Sequence, residues 1–453
     1  MLQTPKDIIY EIFDTLAIRE LINVCTTCQI LNNLLHKIKW NHEIELTKST
    51  YIDDICIFYK FNRYALTSID IFDYVPYFSN CHTLIFTNCK SVTDSNVIHF
   101  KNCHTLDVSG CKLTDKSIRH LGKCYDLDLS GCTRITDASV KYLGKCHKLN
   151  ISECKLITDS SVKYLGKCYN LDISACKLIT DSSVKYLGKC HSLNISGCKK
   201  ITDSSVKYLG KCHNLNISDC KKITDKSVKY LGKCHKLNIS ECTKVTDSSV
   251  RYLGKCHNLD ISECQLITDS SVKYLGKCRN LNISHCKLVT NKGIRYLGTC
   301  SSLEFLGSRA ISDAGIKYLG KCHDLTLGIC ERITNWGIKY LGKCYNLRLY
   351  QCKRITDSGI KYLGNCHYLH YEGYKSLNDR GVKYLGRCNS LYLANCELLT
   401  DKGIKYLGKC DSIDLDNCKK ITGQGIKYLG NCRHIGITNC KFPIDECQIF
   451  RKM

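Results

Sequence analysis

Proline is nearly absent, with three residues in 453. A chain so poor in proline has no stiff extended linker, so its elements must follow one another through short connections. Methionine and tryptophan occur twice each. No run of eighteen or more apolar residues appears, which argues against a transmembrane helix and a membrane partner. The first residues, MLQTPKDIIYEIFD, carry acidic side chains and have no apolar stretch before a small-residue cleavage site. They do not read as a signal peptide, and the expected location is the cytoplasm or nucleus. Also missing is any catalytic constellation. The histidines mostly follow a cysteine at one recurring position, as in His147, His191 and His213, so the chain is expected not to be an enzyme.

What the sequence has in abundance is cysteine and positive charge. There are 36 cysteines, and 66 Lys+Arg stand against 42 Asp+Glu for a net charge of +24. The N-terminal segment is close to neutral, so the positive excess belongs to the rest of the chain. The cysteines recur in register with Leu and Ile. Residues 146–167 read CHKLNISECKLITDSSVKYLGK, and the next copies differ from this at only a few positions. The leading cysteines run Cys81, Cys103, Cys124, Cys146 and onward to Cys432, with a dominant period of 22 and about seventeen copies. A period in this range marks a solenoid.

Each copy divides into two elements. Leu149-Asn150-Ile151-Ser152 alternates apolar and polar residues and predicts a short half-buried strand. Asp159 to Leu165 predicts a short helix, capped by Thr158 or Asp159, with Val162 and Leu165 on one face. Gly166 suits the left-handed position that ends a helix. A helix of about seven residues cannot stand alone in water, so stacking must supply both burial and strand pairing. The expected fold class is an α/β solenoid with one long parallel sheet and short helices on its convex side.

The cysteines read as buried thiols of a reducing compartment. Ser308 and Tyr374 replace the second cysteine in two copies, which packing tolerates more readily than a metal or disulfide ladder would. The spacing is unlike that of zinc ligand pairs. Neither metal nor cofactor is expected. The lone pair Cys25 and Cys28 has no second pair to complete a zinc site.

The unit resembles the cysteine-containing leucine-rich repeats of F-box proteins. Cys146, Leu149, Ile151, Cys154, Ile157, Thr158, Asp159, Val162 and Leu165 match that pattern, and the resemblance spans residues 81–440. It departs in length: the family unit is usually about 26 residues, and the loss falls mainly before the strand.

Residues 1–46 lie outside the repeat. Ile8, Ile9, Ile12, Phe13 and Leu16 have helical spacing, as do Leu21, Val24, Cys25 and Cys28. A small helical cap on the first repeat is one reading. The segment is also similar to an F-box, through Pro5, Asp7, Ile8, Ile9, Ile12, Phe13, Leu16, Glu20, Leu21, Cys25 or Cys28, Leu34 and Trp40. Thr4 stands where the family usually has Leu, and Gln29 where a basic residue is commoner. The domain plan is then a helical F-box-like segment at 1–46 and a linker with an aromatic edge cover at 47–80. The repeats occupy 81–440, and a cap or tail 441–453.

The resemblance implies a non-enzymatic substrate-recognition adaptor of an SCF-type ubiquitin ligase. The F-box would dock on a Skp1-like linker and through it a cullin, while the repeats hold the protein to be ubiquitinated. The alternative is a leucine-rich-repeat scaffold or recognition module with no ubiquitin link. The Lys-, Asn-, Ile- and Tyr-rich composition is also similar to repeat proteins of large DNA viruses of amoebae, in which case the ligase would be the host's.

The polar positions between the buried strand residues compare directly across copies. From Cys146 to Ser284 they are nearly uniform, as in Asn150, Ser152, Asn194 and Ser196. After Cys300 they diversify to Glu304, Arg348, Tyr350, Tyr368, His370, Glu372 and Tyr392. Tyr and Arg are favoured at binding hot spots, so the partner is expected on the concave face between about residues 302 and 394; relaxed drift is the other reading. Trp336, at a helix start, is a further candidate anchor. Lys163, Lys167 and their copies form basic rows, explained by solubility and the helix dipole or by an acidic partner. No RNA- or DNA-reading motif accompanies them, which argues against nucleic acid.

Overall fold

The computed structural model describes residues 81–372 and 376–440, the pair Phe78 and Ser79, and the backbone of two strands, Trp40–Leu46 and Phe61–Leu66. The chain forms two compact units, Met1–Ile201 and Thr202–Met453. In both, each copy contributes one strand to a parallel sheet and one short helix to the opposite side. In the first unit the strands pair in chain order from Trp40–Leu46 to Ser192–Asn194. In the second they pair in order from Asn214–Asn216 to His434–Thr438. Register never slips between copies: Leu149 lies between Leu127 and Leu171. An equal period allows this, because every buried residue then meets its own counterpart.

The core is the motif itself. Cys146, Leu149, Ile151, Cys154, Ile157, Val162 and Leu165 are all buried. The strand of this copy is Lys148–Asn150, and its ladder continues beyond those bounds, since Ile151 N–H donates to Asp172 O at 2.9 Å. The helix is shorter than Asp159 to Leu165: it is one turn, Asp159–Val162, and the chain then turns so that Leu165 can still enter the core. Thr158 is the N-cap and accepts from Ser160 N–H at 3.2 Å.

Asp159 does something else. Its carboxylate accepts from Thr180 N–H at 2.9 Å, Thr180 Oγ1 at 2.5 Å and Ser183 Oγ at 2.5 Å. All three donors belong to the next copy. The Asp column is therefore a tie between neighbours rather than a cap within a helix. It occupies buried hydroxyls such as Ser183, which would otherwise be costly to bury.

Gly166 also has a different cause from the one its position implies. Its φ is not positive. A Cβ there would lie 2.6 Å from Tyr186 O, so glycine is required by the close approach of the next copy's backbone. The left-handed residue sits instead in the turn after the strand, just before the second cysteine. Glu153 has φ 60, Asp219 φ 56 and Gly197 φ 69.

Near the N-terminus the expected plan needs revision. Residues Trp40–Leu46 are a strand, parallel to Phe61–Leu66, with Trp40 opposite Phe61. Trp40 therefore belongs to the sheet and not to a helical segment. The pairing slips by one residue between Trp40 and Glu43 and is regular from Glu43 to Leu46. The stretch 47–80 likewise holds a strand, which pairs onward to Thr83–Ile85. Pro5, Ile8, Ile9, Ile12, Phe13, Leu16, Leu21, Cys25, Cys28 and Leu34 lie outside the described residues, as do Tyr374 and the tail from residue 441.

Candidate functional site

The second unit changes character part-way along. Strands of three residues, the last at Asn280–Asn282, give way to strands of five residues from Ser302–Leu306 onward. The helices change at the same place. The third helical position is Ser271 in one copy and Gly293 in the next, and it stays glycine through Gly425. Gly293 N–H donates directly to Asp269 Oδ1 at 2.9 Å, replacing the serine hydroxyl by a backbone bond. The longer strands place three outward positions per strand, instead of two, within the ordered ladder, as Asn346, Arg348 and Tyr350 against Asn280 and Asn282.

The open face of this sheet, opposite the helices, brings the diversified residues together. One row runs Glu304, Thr326, Arg348, His370, Tyr392, Asp414 across six adjacent strands. A flanking row holds Leu306, Gly328 and Tyr350, and farther along Glu372, Ala394 and Asp416. On the other flank Asn346, Tyr368 and Ser390 are neighbours. Parallel strands lie about 4.8 Å apart, so side chains in a row touch. The Arg348 guanidinium lies 5.2 Å from the Tyr368 ring centre. His370 is stacked on Tyr392 at 4.2 Å and meets Tyr350 at 4.6 Å in a tilted arrangement. Tyr392 Oη donates to Asp416 Oδ2 at 3.5 Å, and Asn395 Nδ2 to Glu372 Oε1 at 3.5 Å.

This contact network sets the charges. Burial, then the neighbouring Arg348, push His370 down to about 4, so its imidazole is neutral near pH 7. Burial and Asp260 raise Glu304, opposed by Arg348. Burial raises Tyr350 above the usual phenol range. The result is a half-buried, mainly neutral aromatic surface around one arginine, with carboxylates at its ends.

Glu304, Arg348, Tyr350, Tyr368, His370, Glu372 and Tyr392 are thus all on one face. Trp336 is not among them. It lies in the helix Asn335–Ile338 on the opposite side, 73% exposed, with the Lys339 ammonium 5.0 Å from its ring. The patch also holds residues that the sequence alone does not single out, among them Thr326, Gly328, Asp414 and Asp416. Asp414 and Asp416 fall after the expected interval, although they occupy the same repeat positions. Gly328 is buried and closely packed: a Cβ there would meet the Leu306 side chain at 2.6 Å and Tyr350 Cβ at 3.2 Å, so glycine lets these two side chains close over the strand. Nor does the sequence single out Tyr371, which fills a core position of its strand and donates from Oη to Ile355 O at 3.0 Å.

Among the described residues the cysteines form packing contacts rather than a metal or disulfide site. All those described are free thiols, and all but Cys432 and Cys440 are buried. Cys154 Sγ points at Leu129 O, 3.3 Å away in the preceding copy, and Cys176 at Ile151 O, 3.3 Å away. Burial pushes Cys146 up to about 12, far from a usable thiolate. Ser308, in place of the second cysteine, leaves its buried hydroxyl without a protein partner. Among the described residues no three His, Cys, Asp or Glu side chains converge as a metal site. No helix among them is long and apolar enough to cross a membrane.

One parallel strand and one short helix per copy, in register over an apolar ladder, define the architecture. The fold is a leucine-rich-repeat solenoid. No family model matches the sequence, and no curated protein matches it. Solved structures do match in fold. TLR13 in complex with ssRNA13 aligns at TM-score 0.59 and 17% identity, over 89% of this chain and 68% of that one. A leucine-rich-repeat protein of Leptospira interrogans aligns at TM-score 0.51 and 19% identity, over 79% and 95%. An internalin of Listeria monocytogenes aligns at TM-score 0.47 and 19% identity, over 65% and 87%.

Proposed function

We propose that this leucine-rich-repeat chain is a non-catalytic recognition subunit that holds a protein partner on the open sheet face of its second unit. The observation that carries this reading is the packed cluster Arg348, Tyr350, Tyr368, His370 and Tyr392. Uniform copies present short amides and hydroxyls there. These copies present large rings already held in place by one another, which lowers the entropy cost of binding.

The N-terminal resemblance supports the finer reading, an adaptor that joins this partner to a ubiquitin ligase. Ile9, Ile12 and Leu16 would enter a groove of a Skp1-like linker as one apolar helix face, and the linker would connect to a cullin. The chain then contributes effective concentration, while other subunits do the chemistry. The test uses the full chain carrying Ile12→Asp and Leu16→Asp. Loss of Skp1 co-purification with retention of the other partner supports the adaptor. Retention of Skp1, or its absence from the wild-type complex, leaves a recognition module without a ubiquitin link.

A further inference from the structure

The helix side of the second unit carries a feature the sheet face does not explain. Each copy there presents a cation, a tyrosine and usually a second cation, as in Lys383, Tyr384 and Arg387 or Lys405, Tyr406 and Lys409. The tyrosines of this column from Tyr208 to Tyr428 are 42–55% exposed. The first cation is held over its neighbour's ring: Lys361 lies 5.0 Å from the Tyr362 centre, Lys383 4.9 Å from Tyr384 and Lys405 5.0 Å from Tyr406. No ion pair among the described residues involves these lysines. The carboxylates of the same helices are occupied: Asp357, Asp379 and Asp401 accept from Asn378, Thr400 and Thr422 N–H at 2.8–3.0 Å. Lys361, Tyr362, Lys383, Tyr384, Lys405 and Tyr406 line one open groove of about 720 Å³.

We propose that this groove and the column it belongs to bind single-stranded nucleic acid. The net charge of +24 provides the long-range attraction. The decisive point is that cation and ring repeat together. A phosphodiester strand supplies one phosphate and one flat base per unit. An acidic polypeptide supplies the charge without the ring, and a duplex keeps its bases stacked inside. A phosphate outcompetes the tyrosine face for the ammonium, and the ring so released is free to stack on a base. A sequence scan for nucleic-acid motifs misses this, because the surface is made by copies 22 residues apart rather than by one local pattern.

The test is fluorescence anisotropy of the full chain with a labelled 20-nucleotide oligothymidylate. Contact with about six phosphates predicts a loss of affinity on the order of a hundredfold between 50 and 200 mM salt. Lys361→Gln, Lys383→Gln and Lys405→Gln together should weaken binding at least tenfold and flatten the salt slope. Tyr362→Leu, Tyr384→Leu and Tyr406→Leu together should also weaken it at least tenfold. The corresponding Phe triple variant should bind as the wild type does. All these side chains are exposed, and an unchanged melting temperature confirms that each variant folds. The proposal is overturned by absent binding, by an unaffected Leu variant, or by equal affinity for duplex DNA or polyglutamate of the same charge.

Discussion

Asp159 Oδ1 takes the hydroxyl of Ser183 at 2.5 Å, 24 residues along the chain, while its other oxygen takes Thr180 Oγ1. The bond joins one copy to the next and recurs at Asp137 with Thr158 and Ser161. Asp159→Ala leaves a buried serine and a threonine N–H unpaired and should cost about 1–3 kcal/mol. Asp159→Asn should cost less. The chain already contains that solution, since Asn291 Oδ1 accepts from Ser312 N–H at 3.0 Å while its Nδ2 donates to Ser312 Oγ at 2.9 Å. Urea unfolding of the two variants checks the order.

The same ties make stability depend on acid. Burial alone would raise the Asp94 and Asp115 carboxyls, but hydrogen bonds from Thr114 and Ser117, and from Thr136 and Ser139, hold both below their ordinary value. A depressed folded value means the contribution is fully present above about pH 4. It is lost as pH falls through the depressed values. A variant with Asp94→Asn and Asp115→Asn should be less stable at pH 7 and should lose less stability than wild type below pH 4. Melting temperatures measured from pH 7 to pH 2.5 test the sign.

Two glycines at one repeat position give a paired test of close stacking. A Cβ on Gly166 would meet Tyr186 O at 2.6 Å, whereas on Gly430 the nearest atom among the described residues is Lys427 O at 3.9 Å. Gly166→Ala should destabilise by more than about 1 kcal/mol, in the range of overpacking. Gly430→Ala should be neutral or slightly stabilising. Equal effects would mean that the glycine column has a conformational cause after all.

Thiol chemistry distinguishes packing from reactivity. Cys168 is buried and pushed up to about 12, so on the order of one molecule in ten thousand is thiolate at pH 8. Cys432 and Cys440 are partly exposed. Cys440 is held in its thiol form by the neighbouring Cys418 and by burial, so iodoacetamide on the native protein should label Cys432 well before Cys168 or Cys190, as peptide mass spectrometry would show. Uniform labelling of the column would contradict its role in the core.

Much of this was legible because the chain repeats itself. Cys146, Leu149, Ile151 and Val162 identify the buried ladder by position alone, and comparison of copies picks out Arg348, Tyr368 and Tyr392. What sequence cannot show is a relation between copies. Asp159 looks like a cap, because Thr-Asp before a helix fits capping, and only the stacked neighbour reveals its partners. Gly166 looks like a helix terminator until Tyr186 O is beside it. The aromatic ladder is of the same kind: His104, Tyr125, His147 and Tyr169 stack at 4.4–4.6 Å, though they stand 21 or 22 residues apart. Trp336 is conspicuous in sequence whichever side it faces, and only the fold shows that its helix start lies away from the patch.

Neutral His370 makes a further prediction for the patch. With its imidazole held down at about 4 by burial and Arg348, protonation does not disturb the stack with Tyr392 between pH 5 and 8. Capture of the partner should be constant over that range. A break near pH 6.5 would mean that His370 titrates as an ordinary exposed histidine.

The most direct measurement compares two full-length variants by quantitative affinity purification. One carries Arg348→Ala, Tyr368→Ala and Tyr392→Ala. The other carries Asn150→Ala, Asp172→Ala and Asn194→Ala on the uniform part of the open face. Hot-spot truncations of this type cost about 2 kcal/mol or more each, so the first variant should lose its specific partner at least thirtyfold while the second keeps it. Retention by the first variant, or equal loss from both, would contradict the assignment of recognition to the patch around Arg348.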